Sequence, residues 1–209
     1  SNAHEPVAAE CRAVRSRVGL IEIANYAKYE VTGAGAEAFL ARLLAGRMPS
    51  PGRIALNPML NERGKVIGDF TLARLGPERF LIFGSGPAEE YHLRWFERHL
   101  PSTGVSLRSR RSDLVGLAIA GPNSRALLGR VLDGDVSNTA FPFLSIRDAE
   151  VGMIPAIVGR ISFTGELGYE IWVEPDYERA LYDLLSEAGA ELGLTLFGAR
   201  ALLSLRLEK

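Results

Sequence analysis

Residues 161–174, which read ISFTGELGYEIWVE, constrain the fold more than any other stretch of the sequence. Large apolar residues alternate with other residues before the corner at Thr164 and Gly165, and they alternate again after Gly168. An alternation of period two on both sides of a glycine-containing turn is typical of a β-hairpin. The segment therefore predicts two antiparallel strands joined by a tight turn.

Glu170 is the unusual residue of this hairpin, because it places a carboxylate in mid-strand between the large apolar residues Tyr169 and Ile171. One interpretation is that Glu170 lies on the solvated face of the sheet. The other is that the sheet holds the carboxylate rigidly at the floor of a pocket. There it would accept two parallel N–H donors from the edge of a flat, guanidine-like heterocycle. The pattern alone leaves both interpretations open.

The remaining patterns predict a chain in which short strands and helices alternate. The middle of the chain runs strand, strand, helix, strand, strand, helix, which favours an α+β unit with an antiparallel sheet. Helices are predicted at residues 5–18 (ended by Gly19), between Gly35 and Gly46, and at 87–100, 124–132, 176–192 and from 199 onward. Strands are predicted at residues 28–32, 54–60, 66–75, 80–83, 105–108, 114–120, 146–150 and 156–163.

Two irregular segments divide the chain. Residues 48–52, which read MPSPG, contain the strongest structure-breaking residues and mark the first boundary between subdomains. Residues 134–142 form the second irregular segment. Residues 1–3, which read SNA, resemble the remnant of a cleaved expression tag, so a signal peptide or an upstream domain is compatible with the sequence.

Composition excludes several classes of function. A net charge of −1 argues against a dedicated nucleic-acid binder, which normally carries a basic patch. No apolar run approaches the roughly 20 residues that span a bilayer, so we expect no membrane partner. The single cysteine, Cys11, excludes an intrachain disulfide and a multi-cysteine metal site. We therefore expect a reducing, cytoplasmic location.

Two further sets of residues are candidate chemical sites. His92 and His99 lie seven apart on one predicted helix, but no cysteine or carboxylate spacing converges on them, so we expect solvated helix residues and no metal site. Asp69 lies in mid-strand directly after Gly68. It is either an outward-facing or edge-strand acid, or a partly buried carboxylate that orients an amine or stabilises a developing cation. Periodicity does not show whether Asp69 and Glu170 share a cavity.

Taken together, several segments resemble one family. The chain is similar to the folate-binding domain of the glycine-cleavage T-protein, an aminomethyltransferase, and more closely to the tetrahydrofolate-binding portion of dimethylglycine and sarcosine dehydrogenases. The segments appear in the family's order and cover nearly the whole chain, and the match depends on their combination. They are residues 12–23 (RAVRSRVGLIEI), 29–40 (YEVTGAGAEAFL), 58–75 (PMLNERGKVIGDFTLARL), 117–128 (LAIAGPNSRALL), 161–174 and 198–209 (GARALLSLRLEK).

The resemblance implies a fold of two intertwined α+β subdomains with mostly antiparallel sheets that enclose a central folate pocket. Residues 4–53 and 143–209 would form subdomain one, and residues 54–142 would form subdomain two. In the family a C-terminal barrel-like domain closes the pocket. We expect this domain to be absent from the chain, which would then be a fragment or a naturally short relative.

The resemblance also implies roles for particular residues. Asp69 matches the aspartate near the reactive nitrogens of tetrahydrofolate, where it would position the folate amine for attack and stabilise positive charge. Glu170 matches the glutamate that grips the 2-amino and N3 positions of the pterin ring, and Leu56 matches a residue that lines this pocket.

Three further positions are expected to bind the cofactor but depart from the T-protein pattern. Ser85 replaces an asparagine, and Phe163 replaces the usual tyrosine. Arg200 is offset by two positions from the folate-binding arginine, whose place is taken by Leu202. All three departures agree with the dehydrogenase-type relatives.

The function implied is tetrahydrofolate-dependent one-carbon transfer, as in glycine cleavage or in the oxidative demethylation of N-methylglycines. The partners implied are a reduced folate and either a lipoyl carrier protein or a flavin-dependent demethylase domain. The chain shows no flavin-binding fingerprint, so a flavin would belong to a partner or an upstream domain. The alternative is a non-catalytic folate-binding or scaffold module. Retention of Asp69 and Glu170 favours the enzyme, whereas the expected absence of the third domain favours the module.

Overall fold

A computed structural model describes residues 2–208 of the chain. Ser1, the first residue of the predicted tag remnant, and Lys209, the last residue of the predicted folate-binding domain, lie outside the described residues. The helices are α1 His4–Ser16, α2 Ala36–Leu43, α3 Glu89–Arg98, α4 Ser124–Val131, α5 Glu178–Gly189 and α6 Ala199–Leu207. The strands are β1 Val18–Glu22, β2 Ala27–Thr32, β3 Arg53–Leu60, β4 Val66–Gly76, β5 Arg79–Gly84, β6 Ser106–Ser109, β7 Val115–Ala120, β8 Ile146–Val151, β9 Ile154–Gly159, β10 Gly168–Val173 and β11 Leu194–Leu196.

The chain forms two compact units, each with its own sheet. The first unit runs to Ile23 and resumes at Val115, and the second comprises Ala24–Leu114. The second unit is thus inserted into the sequence of the first. Both units combine helices with antiparallel-rich sheets, so the predicted α+β class is confirmed.

The first unit is built on a six-stranded sheet in the order β11-β1-β7-β10-β9-β8. Only the β1–β11 pair among these described strands is parallel. One face of the sheet packs against α4 and α5, and its core includes Leu117, Ile119, Val158, Tyr169, Ile171, Leu127 and Leu181. A smaller cluster, formed by Val14, Ala120, Phe197, Ala201 and Leu205, joins α1 and α6 to the other face.

The second unit is built on a five-stranded antiparallel sheet in the order β3-β4-β5-β2-β6. Alternate residues of its strands, among them Tyr29, Phe70 and Ile82, pack with Phe39 and Leu40 of α2 and Phe96 of α3. The meander β3–β5 follows the predicted strands closely, because each strand alternates buried and exposed residues or is buried throughout.

The unit boundaries differ from those expected at residues 53/54 and 142/143. Strand β2 pairs with β5 and β6, so the residues before the MPSPG segment belong to the sheet of the second unit. Strand β7 pairs with β1 and β10, which places residues 115–142 in the first unit. The strand ladders, and not the irregular segments, therefore set the division.

Two local predictions at the start of the chain were wrong. Helix α1 ends at Ser16, and Gly19 lies inside strand β1 instead of capping a helix. The reason is burial, because Val18 and Leu20 are fully enclosed in the core and Gly19 pairs with Ala120 of β7. A Cβ at Gly19 would lie 2.6 Å from side-chain atoms of Phe197 and Val14, so only glycine lets helix α1 and the segment before α6 approach the sheet here.

The hairpin predicted at residues 161–174 is present as strands β9 and β10, but its first strand is displaced. Strand β9 ends at Gly159, which pairs with Glu170, and residues 160–167 form a loop where strand was expected. In this loop, side-chain hydroxyl groups accept hydrogen bonds from backbone amides. Ser162 Oγ accepts from the Thr164 amide at 3.2 Å, and Thr164 Oγ1 accepts from the Glu166 amide at 3.2 Å. Such local bonds compete with a strand ladder.

Candidate functional site

Glu170 lies near the middle of the first unit's sheet, on strand β10 between β7 and β9. Its neighbours across the two ladders are Ala118 and Gly159. Neither residue has a side chain longer than a methyl group, so no long or charged side chain flanks the carboxylate across the two ladders. Tyr169 and Ile171, the adjacent residues of β10, point into the helix-covered core. Glu170 is therefore directed to the opposite face, as period-two geometry requires.

Trp172 shares this face with Glu170 and is buried. Its ring fills the space above Gly116, since a Cβ at Gly116 would lie 2.5 Å from the ring. A side-chain hydrogen bond joins Trp172 to Glu170. Because indole can only donate, this bond favours the carboxylate form.

Loss of hydration dominates the electrostatics of Glu170. Burial raises the pKa of the Glu170 carboxyl to about 7, and the hydrogen bond from Trp172 opposes this rise. None of the ion pairs formed within residues 2–208 involves Glu170. The site is thus a half-buried acid that receives one donor, from Trp172, and has no cation beside it.

Phe163 and Arg200 belong to the same unit but have different surroundings. Phe163 lies in the 160–167 loop with 41% of its surface exposed, and the guanidinium carbon of Arg206 lies 4.8 Å from the ring centroid. Arg200 is exposed in the first turn of α6. Leu202, by contrast, packs against the cluster around Phe197. No hydrogen bond or ring contact among the described residues joins Phe163 or Arg200 to Glu170.

The 160–167 loop is held by residues that the sequence did not single out. Arg15 Nη1 donates to Glu166 Oε1 at 2.6 Å, and Arg15 Nη2 donates to Glu208 Oε2 at 2.9 Å. Glu10 accepts from the Gly198 amide at 2.9 Å at the start of α6. These pairs connect α1 with the loop before β10 and with both ends of α6. Their long sequence separation left no local signal.

In the second unit, Asp69 and Leu56 lie on neighbouring strands and on one face of the sheet. Asp69 pairs with Pro58, and Leu56 pairs with Thr71. Both side chains are solvent-accessible, and Leu56 exposes 65% of its surface. This face is the one opposite α2 and α3, because the alternating residues Phe70 and Leu72 belong to the helix-covered core. The structure therefore brings together two of the predicted site residues.

Ser85 is an exposed residue directly after β5. Its carbonyl accepts from the Ala88 amide at 3.1 Å and starts a short 3₁₀ turn that leads into α3. The chain leaves the sheet here, so β5 does not extend alongside Asp69. Ser85 thus stands at the end of the strand next to the one that carries Asp69.

The expectation that His92 is solvated was wrong. Its side chain is buried and its Nε2 lies 2.8 Å from the carbonyl oxygen of Ile67. Burial lowers the pKa of His92 below its ordinary value, and the bond to Ile67 partly offsets this. Helix α3 buries Glu89, His92 and Phe96, whereas Tyr91 is exposed. Among residues 2–208 no cluster of histidine, cysteine or acidic residues is suited to a metal ion.

None of the helices described for this chain has the length and apolarity needed to cross a membrane.

Comparisons with known proteins give the family. The model of the GCVT N-terminal domain family matches residues 1–209. Dimethylglycine dehydrogenase of Rattus norvegicus is 34% identical over 100% of this chain, which corresponds to 25% of that relative. Sarcosine oxidase subunit alpha of Rhizobium meliloti is 34% identical over 98% of the chain and 22% of its own length. The chain thus spans about a quarter of these relatives.

A solved structure agrees with this result. The glycine cleavage system aminomethyltransferase T from Bartonella henselae superposes with a TM-score of 0.84 and 25% sequence identity, covering 97% of this chain and 54% of that protein. The predicted resemblance is therefore confirmed in sequence and in fold. The chain belongs to the GCVT N-terminal domain family.

Proposed function

We propose that the chain binds a reduced folate and takes part in tetrahydrofolate-dependent one-carbon transfer. The observation that carries this proposal is the carboxylate of Glu170, which lies half-buried on the sheet between Ala118 and Gly159 without a cationic partner. A carboxylate that has lost much of its hydration and receives a single donor costs free energy, and a ligand that supplies further donors recovers it. The 2-amino and N3 groups of a pterin offer two parallel donors, which match the two oxygens of one carboxylate.

Asp69 has a different role in this proposal. It lies on β4 with access to solvent and beside the exposed side chain of Leu56. We assign it to the reacting centre of the folate, where a carboxylate orients the attacking amine and stabilises positive charge on the way to product. The remaining cofactor-binding residues of the proposal are Leu56, Ser85, Phe163 and Arg200.

The binding role is tested by calorimetry with tetrahydrofolate under anaerobic conditions. Glu170→Gln removes the charge and one acceptor, and a charge-assisted pair contributes roughly 1.5–3 kcal/mol. We expect the affinity to fall about tenfold or more. Glu174→Gln is the matched control, because Glu174 is an exposed acid just after the same strand. Equal affinity for the native chain and Glu170→Gln would refute the assignment.

The catalytic role needs a separate test. The formation of methylene-tetrahydrofolate is followed with either N-methylglycine and an amine-oxidising partner or an aminomethylated lipoyl carrier as donor. Asp69→Asn should leave folate affinity within a few-fold and reduce turnover by about 10²-fold. Glu62→Gln, in the exposed β3–β4 turn, is the control. Normal turnover of Asp69→Asn would refute the catalytic role of Asp69, whereas folate binding without turnover in the native chain would favour the alternative of a non-catalytic module.

The donor system in this test also identifies the partner. Because two of the similar proteins are a dimethylglycine dehydrogenase and a sarcosine oxidase subunit, we propose a flavin-dependent demethylase domain or subunit as the partner. Turnover with the lipoyl carrier alone would instead assign the chain to glycine cleavage. The cytoplasmic location stays a prediction from the single cysteine, and the rat relative is named as mitochondrial.

A further inference from the structure

His92 holds the part of strand β4 that carries Asp69. Strand β3 pairs with β4 from Val66 to Arg74, but β5 pairs with β4 only from Thr71 to Gly76. On the β5 side, the residues from Val66 to Phe70 therefore have no neighbouring strand. Asp69 lies within this one-sided segment, so its backbone needs support from elsewhere.

The segment also contains a bulge. Met59 pairs with Gly68 and Leu60 pairs with Val66, which leaves Ile67 as an extra residue on β4. A bulge leaves the extra residue unpaired, bends the strand and redirects the side chains that follow. Ile67 lies two residues before Asp69, so the geometry of the bulge sets the direction of the Asp69 side chain.

The carbonyl of Ile67 finds its partner on helix α3. His92 Nε2 lies 2.8 Å from this oxygen, and because a carbonyl only accepts, Nε2 carries the proton. The imidazole is buried and packs edge-on against Phe70, with ring centroids 4.9 Å apart. Gly68 permits the approach, since a Cβ there would lie 3.1 Å from His92 Nε2 and 2.6 Å from the Phe70 ring. His92 Nδ1 has no hydrogen-bond partner among the described residues.

We propose that His92 is a positioning residue for Asp69, which acts by fixing the bulge at Ile67 in place of the strand that is missing on that side. This inference rests on the proposed function of Asp69. The buried imidazole of His92 makes its side-chain hydrogen bond to the Ile67 carbonyl in the bulge. The Phe70 ring and Gly68 leave room for that bond. A histidine with only a packing role would not need Gly68 to open the path to Ile67.

The test compares side chains that keep or lose the donor. In His92→Gln the amide nitrogen is as many bonds from Cα as Nε2, so it can still donate to Ile67. His92→Leu keeps an apolar side chain without a donor, and His92→Asn keeps an amide that is too short to reach. The first measurement is the carboxyl chemical shift of Asp69 by NMR in the chain labelled with ¹³C-aspartate. His92→Leu and His92→Asn should both move the Asp69 carboxyl resonance, and His92→Gln should return it toward the native position.

The second measurement is turnover with the donor system of the Asp69 test. His92→Leu should lower kcat by about tenfold or more, since small misplacements of a catalytic group have effects of this size. His92→Gln should keep most of the rate. Because the effect passes through Asp69, His92→Leu should cause little further loss in the Asp69→Asn background. His92→Asn provides the same comparison if the Leu variant does not fold.

The outcomes separate the two proposals. If His92→Leu lowers kcat equally in both backgrounds, or leaves the Asp69 carboxyl resonance unchanged, His92 is a structural residue and the inference is wrong. If Asp69→Asn itself has no effect on turnover, the proposed function of Asp69 fails, and the NMR measurement still decides whether His92 controls the position of that side chain.

Discussion

Folate binding should depend on pH through Glu170. A pterin edge that presents two donors requires the carboxylate form, and burial raises the pKa of the free Glu170 carboxyl to about 7. At acidic pH most molecules carry a proton that must leave before the ligand can bind. The apparent affinity is reduced by the fraction of molecules in the competent state.

The size of the effect follows from that pKa. For a group with a pKa of about 7, the dissociation constant rises by a factor of about 11 at pH 6 and only about 1.1 at pH 8. Binding should therefore weaken about tenfold between pH 8 and pH 6. At pH 7, half of the Glu170 side chains are protonated, so about half a proton should be released for each folate bound.

Calorimetry measures both quantities. Titrations at pH 6, 7 and 8 give the affinities, and repeating the pH 7 titration in buffers of different ionisation enthalpy gives the number of protons released. Glu170→Gln is the control, because it retains the titration of the ligand and of every other residue. The reasoning is refuted if affinity rises toward acid pH, or if the Gln variant shows the same pH dependence as the native chain.

Three other predictions concern the first unit. Because burial raises the pKa of Glu170 from 4.5 to about 7, its stabilising contribution is fully present below about pH 4.5 and lost as pH rises through about 7. In urea unfolding, Glu170→Gln should match the native chain near pH 4 and exceed its stability at pH 8 by on the order of 3 kcal/mol. Gly116→Val would place a Cβ 2.5 Å from the Trp172 ring. It should cost about 1–3 kcal/mol in urea unfolding and change the tryptophan emission, whereas unchanged emission would contradict the contact. Arg15→Gln removes the ion pair with Glu166, in which both side chains are about a third exposed. Stability should change by less than about 1 kcal/mol, but amide hydrogens of residues 160–167 should exchange faster, and equal exchange rates would show that other contacts hold the loop.

The sequence predicted the elements whose burial follows a regular period. Strands β3, β4 and β5 were found because one face of each packs against helices and local alternation records this. Strand β11 was missed because it has three residues, too few to show a period. Strand β1 was missed because Gly19 follows a helix and resembles a cap, although it is needed for the close approach of Phe197 and Val14.

The site residues divide in the same way. His92 was misjudged because its polarity suggested solvent, and its partner Ile67 lies on a strand that no local pattern connects to helix α3. Arg15 and Glu166 were missed because their ion pair joins distant parts of the chain. The placement of Leu56 and Asp69 on one face follows from the sequence, because they lie on two adjacent strands of one meander and alternation sets the face of each.

Glu170 shows most clearly what periodicity provides and what it lacks. Alternation placed it on one face of β10 with Trp172, but solvated and secluded acids have the same period. The difference comes from register, which sets Ala118 and Gly159 beside it instead of an arginine or a lysine. A cation in either position would have stabilised the carboxylate and kept its pKa low. With these small neighbours, the Glu170 carboxylate depends on Trp172 and on any ligand that supplies further donors. The pH dependence of binding therefore distinguishes the two interpretations of Glu170, which the sequence pattern does not.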